Sequence, residues 1–125
     1  MSLRALLLIH AAITLAAAIV LVAAPPLIPS TVGIALSSDA YLLCYLLGAA
    51  ELAVAYLSFA GSRIAEPNAL RLIVSTIVVF HLATAAVELY AFTRGVSGRI
   101  LANVALRVII VLLFTYHSRS KHIDD

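Results

Sequence analysis

Charged side chains are scarce in this sequence. Its 125 residues include 8 Lys and Arg and 6 Asp and Glu, so that 11% of residues are charged and 64% are hydrophobic. Soluble domains usually carry about a quarter charged and about half apolar residues. So few charges cannot cover the surface of a soluble domain of this length. The composition excludes an ordinary soluble domain and favours a single domain whose outer surface faces lipid.

Cysteine is nearly absent, and so are the usual sequence motifs of catalysis. Cys44 is the single cysteine, so no disulfide can form within one chain. The basic residues are dispersed and form no patch, which argues against nucleic acid as a partner. No glycine-rich phosphate loop, zinc signature or nucleophile motif is present, and the paired Glu-x-x-His motifs of di-iron bundles are missing. We predict no metal site, assign no catalytic residue, and leave open whether the protein is an enzyme.

Long apolar runs are abundant instead. Four of them approach the roughly 20 residues with which a helix crosses a bilayer core. They cover about residues 3–24, 41–60, 70–92 and 100–116. Short connections make successive helices antiparallel neighbours. We therefore predict an all-α protein, an integral membrane four-helix antiparallel bundle that forms one transmembrane domain over residues 1–125, with its N- and C-termini on the same side.

The breaks between these runs carry typical helix-boundary residues. Pro25 stops the first helix, the polar side chains of residues 37–39 are predicted to cap the second, and Pro67 suits the first turn of the third. The segment 25–40 is the longest connection, and we expect it to lie against the membrane interface or to cover the mouth of the bundle. Gly48 and the alanine-rich runs allow the helices to approach closely.

Basic residues are distributed unevenly between the two ends of the predicted helices. The side with both termini carries Arg4, Arg63, Arg71, Arg119 and Lys121. The opposite side carries Arg94 and Arg99. Because Lys and Arg are enriched in cytoplasmic loops, we predict a multi-pass protein of the cell membrane with cytoplasmic termini.

Six polar residues lie inside the predicted spans, where an unpaired charge costs about 3 kcal/mol or more. They are His10, Glu51, His81, Glu88, Asn103 and Arg107. Helical spacing places His81 and Glu88 on one face of the third span, and Asn103 and Arg107 on one face of the fourth. Because lipid accepts none of these groups, we expect the polar faces of all four helices to converge inside the bundle.

Arg107 is the most demanding member of this set. Its guanidinium stays protonated in proteins and accepts no hydrogen bond, so it needs a carboxylate inside the membrane. We predict that Arg107 is bound to Glu51, to Glu88 or to both, and that His81 and Asn103 complete the hydrogen bonds.

Several functions fit this cluster. The six residues can form a pocket that binds or acts on a lipophilic small molecule, with Arg107 holding an anionic or carbonyl group and His81, together with Glu51 or Glu88, moving a proton. Alternatively, the protein is a structural or accessory subunit of a larger membrane complex, in which the charges only fix helix packing. A third hypothesis is a haem held by His10 and His81, and no other cofactor is predicted. The alanine-rich faces also permit a homo-oligomer.

The layout of the chain resembles the DoxX-like group of small bacterial four-helix membrane proteins. The matching features are Ala24-Pro25-Pro26 after the first helix, Gly48-Ala49-Ala50-Glu51 in the second, the segment from Phe80-His81 to Glu88 in the third, and Asn103 with Arg107 in the fourth. The resemblance implies a location in the bacterial inner membrane. Some members of that group are linked to quinone or sulfur redox chemistry, and the resemblance carries over no functional residue.

Overall fold

The computed structural model describes residues 1–119, which are helical apart from short connections and contain no strand. The helices are α1 (Leu3–Ala23), α2 (Leu27–Thr31), α3 (Tyr41–Gly61), α4 (Pro67–Thr93) and α5 (Ile100–Arg119), and a 3₁₀ turn (Ser38–Ala40) leads into α3. The predicted all-α class and four-helix bundle are confirmed. Lys121, one of the basic residues that predict the orientation, lies outside the described residues.

Four of the helices are long and apolar enough to cross a membrane. These segments are Leu3–Ala23, Ser38–Gly61, Pro67–Thr93 and Ile100–Ser118, with mean hydropathies of 2.7, 1.8, 2.0 and 1.9. The 21 residues of α1 extend over about 31 Å, which matches a hydrocarbon core of about 30 Å. Large apolar side chains such as Leu72, Val87 and Leu112 lie exposed on the outside of the bundle. A surface of this kind requires lipid around it, so the protein is a multi-pass membrane protein.

Side-chain caps begin two of the helices. The Ser2 hydroxyl accepts a hydrogen bond from the backbone N–H of Ala5 at 3.2 Å at the start of α1. At the start of α4, the Glu66 carboxylate accepts from the N–H groups of Ala69 and Asn68, with Pro67 at the first helical position. These backbone hydrogen bonds, the one from Ala69 first, hold the pKa of the exposed Glu66 carboxyl below its ordinary value. Both caps satisfy N–H groups that have no partner within the helix.

The entry into α3 differs from the prediction. No side chain of residues 37–39 caps the 3₁₀ turn or the helix that follows it. Instead, the backbone N–H of Ala40 bonds to the carbonyl of Ser37, and that of Tyr41 bonds to Ser38. The predicted polar cap was wrong because the tighter i to i+3 bonds of the turn already engage these N–H groups.

The long helices pack as two close pairs, α1 with α3 and α4 with α5. A Cβ atom at Gly48 in α3 would lie 3.2 Å from the carbonyl oxygen of Ala18 and 3.0 Å from Cγ2 of Val22 in α1. The backbones therefore approach so closely that a larger residue would not fit, which confirms the close approach predicted at Gly48. Between the pairs, α3 is adjacent to α4 and α1 to α5, so that α1 and α4 lie diagonally across the bundle.

The connection between α1 and α3 folds back over one end of the bundle. It contains the short helix α2, and Val32 after this helix is buried. Gly33 adopts φ +79°, and a Cβ atom there would lie 3.3 Å from Cβ of Ser97, which belongs to the connection between α4 and α5. The two connections on the side opposite the termini therefore contact each other, consistent with a segment that covers the mouth of the bundle. We call this side the loop side and the other the terminal side.

The apolar core lies in the terminal half of the bundle. It consists of Leu3, Leu6, Leu7, Ile73, Val74, Ile77 and Phe114. In α1 and α4 these residues precede His10 and His81, and in α5 Phe114 follows Arg107. The core therefore lies between the intramembrane histidines and the terminal side, and it joins the two helix pairs there.

Replacing Gly48 by valine tests the close approach of α1 and α3. The added side chain would collide with the Ala18 carbonyl, and overpacking of this kind typically costs about 1–3 kcal/mol. We expect the Gly48→Val variant to show a lower melting temperature in detergent, measured by size-exclusion chromatography after heating.

Gly98→Ala is the matched control, because a Cβ atom at Gly98 would meet only Phe92 at an ordinary contact distance of 3.8 Å. A melting temperature for Gly48→Val equal to that of Gly98→Ala would contradict the described packing.

Candidate functional site

Two imidazoles from opposite corners of the bundle form the centre of the polar cluster. Nε2 of His10 in α1 and Nε2 of His81 in α4 lie 2.8 Å apart. Their rings are arranged edge to face with centroids 5.0 Å apart. Both residues are buried, at 4% and 3% exposure, and the ring of Phe114 stands edge-on to His10 from α5. This hydrogen bond joins α1 to α4 across the diagonal of the bundle, where the two helix backbones do not pack against each other.

Ser58 of α3 continues this contact on the other side of His10. Its Oγ lies 2.8 Å from Nδ1 of His10 and donates to the carbonyl of Val54, also at 2.8 Å. Ser58 has no exposed surface. The sequence analysis missed this residue, although its spacing of seven places it on the same face of α3 as Glu51, which is the signal that could have found it.

Arg107 of α5 continues the contact on the side of His81. Its Nε donates to Oε2 of Glu88 at 3.0 Å, and its NH1 lies 3.3 Å from Nδ1 of His81. The exposed fractions of the two charged side chains are 19% for Arg107 and 14% for Glu88. The predicted pairing of Arg107 with Glu88, with His81 as a further partner, is confirmed. The result is a continuous hydrogen-bonded path through all four long helices.

Glu51 of α3 lies beside this path without joining it. The residue is 8% exposed, and the charge of Arg107 acts on its carboxyl group. Within residues 1–119, no hydrogen bond reaches the Glu51 carboxyl oxygens, yet no fully buried side-chain nitrogen or oxygen in this part of the chain lacks a partner. The Glu51 oxygens therefore keep accessible surface while the rest of the residue is buried. Of the two carboxylates predicted for Arg107, Glu88 forms the ion pair, and the charge of Arg107 acts on Glu51 without a hydrogen bond between them.

Asn103 corrects the prediction. It lies one turn before Arg107 on α5 and is half-buried, but among the described residues it makes no hydrogen bond with Arg107 or Glu88. The spacing of four correctly places it on the same helix face. However, the NH1 of Arg107 points to His81, and its Nε points to Glu88, so neither group needs the amide.

Other polar residues of the spans bond to their own helix or to the nearest backbone. Thr14 donates to the carbonyl of His10, and Thr84 donates to that of Phe80. The Cys44 thiol donates to the carbonyl of Pro25 at 3.4 Å. The hydrogen-bond donors of these residues are engaged by nearby backbone carbonyls, so they add no group to the polar path.

The haem hypothesis stays a prediction, and the geometry describes what it would require. An iron bound by both imidazoles would need each nitrogen about 2 Å away on opposite sides of a macrocycle. Here a direct hydrogen bond occupies the space between the two Nε2 atoms, so the pair would have to separate. For metal ions, residues 1–119 contain no group of three or more His, Cys, Asp or Glu side chains arranged to hold one.

Comparison with protein-family models, with curated proteins and with solved structures finds no match for this chain. The DoxX-like resemblance therefore stays a prediction. The function has to be argued from the polar cluster itself.

Removing Arg107 tests whether the ion pair stabilises the bundle. Arg107→Met leaves the Glu88 carboxylate without its counter-ion, and breaking a pair shielded from water costs on the order of 3 kcal/mol. We expect a clear loss of melting temperature in detergent. Adding Glu88→Leu should restore most of the loss, because the double variant no longer contains the Glu88 carboxylate that lost its counter-ion.

Arg99→Met is the control for this pair of variants, since it removes an exposed arginine just before α5. Equal melting temperatures for Arg107→Met and Arg99→Met would show that the pair contributes nothing to stability.

Proposed function

We propose that the protein binds a lipophilic small molecule by its polar headgroup at Glu51 and Arg107, and that His81 exchanges a proton with it. The observation that carries the proposal is Glu51, a buried residue of a membrane-spanning helix whose carboxyl oxygens keep accessible surface and receive no hydrogen bond among the described residues. A carboxylate at bilayer depth without such bonds is costly. It either keeps its proton or receives a hydrogen bond from another molecule.

Arg107 supplies the complementary half of this binding site. Its Nε and NH1 are engaged by Glu88 and His81, whereas NH2 has no hydrogen-bond partner among residues 1–119. Arg107 and Glu51 interact electrostatically, so an N–H donor and a carboxyl acceptor are available in one region. A headgroup that both accepts and donates matches this pair. A carboxylic acid or a primary amide has both functions on adjacent atoms.

The surroundings of the site favour a ligand that arrives through lipid. The apolar core fills the terminal half of the bundle. On the loop side, the connection that contains Val32 and Gly33 packs against Ser97. The outer helix surfaces are apolar and exposed. A molecule with a hydrocarbon chain can partition into the bilayer and place its headgroup between the helix pairs. A strongly hydrated molecule would have to displace either the apolar core or the packed connections on the loop side.

Three oleyl compounds with the same chain test the headgroup requirement. Oleic acid and oleamide both donate and accept hydrogen bonds, whereas methyl oleate only accepts. We expect the first two to raise the melting temperature of the protein in nanodiscs and methyl oleate to raise it much less. Glu51→Leu should weaken binding of oleamide about tenfold or more, since a hydrogen bond to a charged group contributes about 1.5–3 kcal/mol.

Asp39→Leu serves as the control, because Asp39 is an exposed carboxylate outside the helices' polar faces. The proposal fails if methyl oleate stabilises the protein as strongly as oleamide, or if no compound distinguishes the wild type from Glu51→Leu.

A structural or accessory role is the second candidate, and the hydrogen-bonded path favours it. That path joins α1, α3, α4 and α5 and gives each of its members a hydrogen-bond partner. Such a network can fix helix rotation without any ligand. This role predicts co-purification with a larger membrane partner after mild extraction. It assigns no function to Glu51, so Glu51→Leu would change neither binding nor assembly.

We further propose that the protein resides in the bacterial inner membrane with both termini in the cytoplasm. Arg4, Arg63 and Arg71 are exposed on the terminal side, against Arg94 and Arg99 on the loop side, and basic residues concentrate on the cytoplasmic side. Alkaline phosphatase is active only outside the cytoplasm. We expect a fusion after Asp125 to be inactive and an insertion at Gly98 to be active. The reverse pattern would overturn the orientation.

A further inference from the structure

The direction of every hydrogen bond in the polar path follows from its Arg107 end. A guanidinium donates hydrogen bonds and accepts none, so Nδ1 of His81 must accept from NH1 of Arg107. In a neutral imidazole, one nitrogen accepts and the other carries the proton. His81 therefore carries its proton on Nε2 and donates it to Nε2 of His10. His10 in turn carries its proton on Nδ1 and donates to Ser58.

The Ser58 end gives the same direction independently. The hydroxyl has one proton, and the carbonyl of Val54, which can only accept, lies 2.8 Å away. With its proton given to Val54, Ser58 must accept from Nδ1 of His10. Both ends thus require the proton of His10 on Nδ1 and that of His81 on Nε2. With every hydrogen bond reversed, the Arg107 donor would face the N–H of His81, and the Val54 carbonyl would face a lone pair of Ser58.

We propose that His10 and Ser58 are positioning residues that hold His81 in one tautomer, so that Nδ1 of His81 is the proton acceptor of the site. This assignment rests on the proposed function for the source of the proton. An imidazole fixed on one side by a hydrogen-bonded partner presents a single lone pair on the other side, which is how general bases are oriented in many enzymes. The lone pair here points toward Arg107 and Glu88, the charged part of the cluster.

The proton-transfer step balances with groups that are present. When an acidic headgroup binds at NH2 of Arg107 and draws the guanidinium away from His81, the lone pair on Nδ1 of His81 becomes free. The O–H bond of the headgroup then breaks, an N–H bond forms at Nδ1, and the electron pair stays on the headgroup oxygen beside Arg107. His81 becomes an imidazolium whose Nε2 proton remains donated to His10. The Glu88 carboxylate, bound to Arg107, supplies negative charge near the new cation.

The polar path offers the proton no route toward the terminal side. Its last member is the Val54 carbonyl, a backbone acceptor that does not pass protons on. The apolar core of Leu7, Ile77, Phe114 and their neighbours lies beyond His10 and His81. His81 therefore takes up and returns its proton on the same side of the cluster.

Nitrogen-15 NMR of histidine-labelled protein without ligand tests the assignment. Replacing His117 and His122 by asparagine leaves the signals of His10 and His81. In neutral buffer we expect a one-bond nitrogen–proton coupling at Nε2 of His81 and at Nδ1 of His10, and none at the other two nitrogens. A proton on Nδ1 of His81, or a mixture of tautomers, in this protein with only His10 and His81 would overturn the proposal.

Ser58→Ala separates positioning from mere packing. Loss of the Ser58 acceptor leaves the Arg107 end alone to set the direction of the path and leaves the Nδ1 proton of His10 without a partner. We therefore expect His10 to become a mixture of tautomers, with a fraction of His81 carrying its proton on Nδ1. Thr14→Val is the control, because its hydroxyl bonds to the carbonyl of His10 and not to the ring. If Ser58→Ala lowers the melting temperature but leaves both tautomers as in Thr14→Val, Ser58 has no positioning role. Since no ligand is present, this result is independent of the oleyl binding test.

Discussion

The guanidinium of Arg107 is the constraint on which the polar interior depends. It cannot lose its charge, and it cannot accept a hydrogen bond. Inside a bilayer it must therefore find a carboxylate, which Glu88 provides, and every other contact must accept its protons. His81 accepts one of them. Because each of the next groups has one proton to donate, His81 donates to His10, His10 donates to Ser58, and Ser58 donates to the Val54 carbonyl.

The bundle divides its length between two kinds of packing. Toward the termini, leucine, isoleucine and phenylalanine side chains fill the space between the helix pairs. Toward the loops, the residues that face inward are smaller or polar, among them Ala18, Gly48, Glu51 and Ala85. In lipid, helices gain little from burying apolar surface and more from close packing and hydrogen bonds. The apolar half therefore holds the pairs together by close packing, while the polar path holds them together by hydrogen bonds.

Sequence reasoning identified the parts of this structure that single helices determine. Hydropathy and length predict the spans, and the need of Arg107 for a carboxylate predicts a bond to Glu51, to Glu88 or to both. The features that the sequence did not predict depend on the rotation and depth of one helix against another. Ser58 was not among the predicted residues, and Asn103 was wrongly predicted to complete the hydrogen bonds around Arg107. Shifts of less than one helical turn decide such contacts, and periodicity does not specify them.

Each helix pair holds internal polar bonds: His10–Ser58 joins α1 to α3, and Arg107 joins α5 to both Glu88 and His81 of α4. During synthesis, the hairpin of α1 and α3 can therefore enter the bilayer with the ring donor of His10 already bonded to Ser58. The hairpin of α4 and α5 can enter with the Arg107 cation already paired with Glu88. The hydrogen bond that links the hairpins joins residues 71 positions apart and involves two uncharged rings. The Arg107 cation therefore does not have to wait in lipid for its carboxylate, and docking of the two hairpins can be the last step.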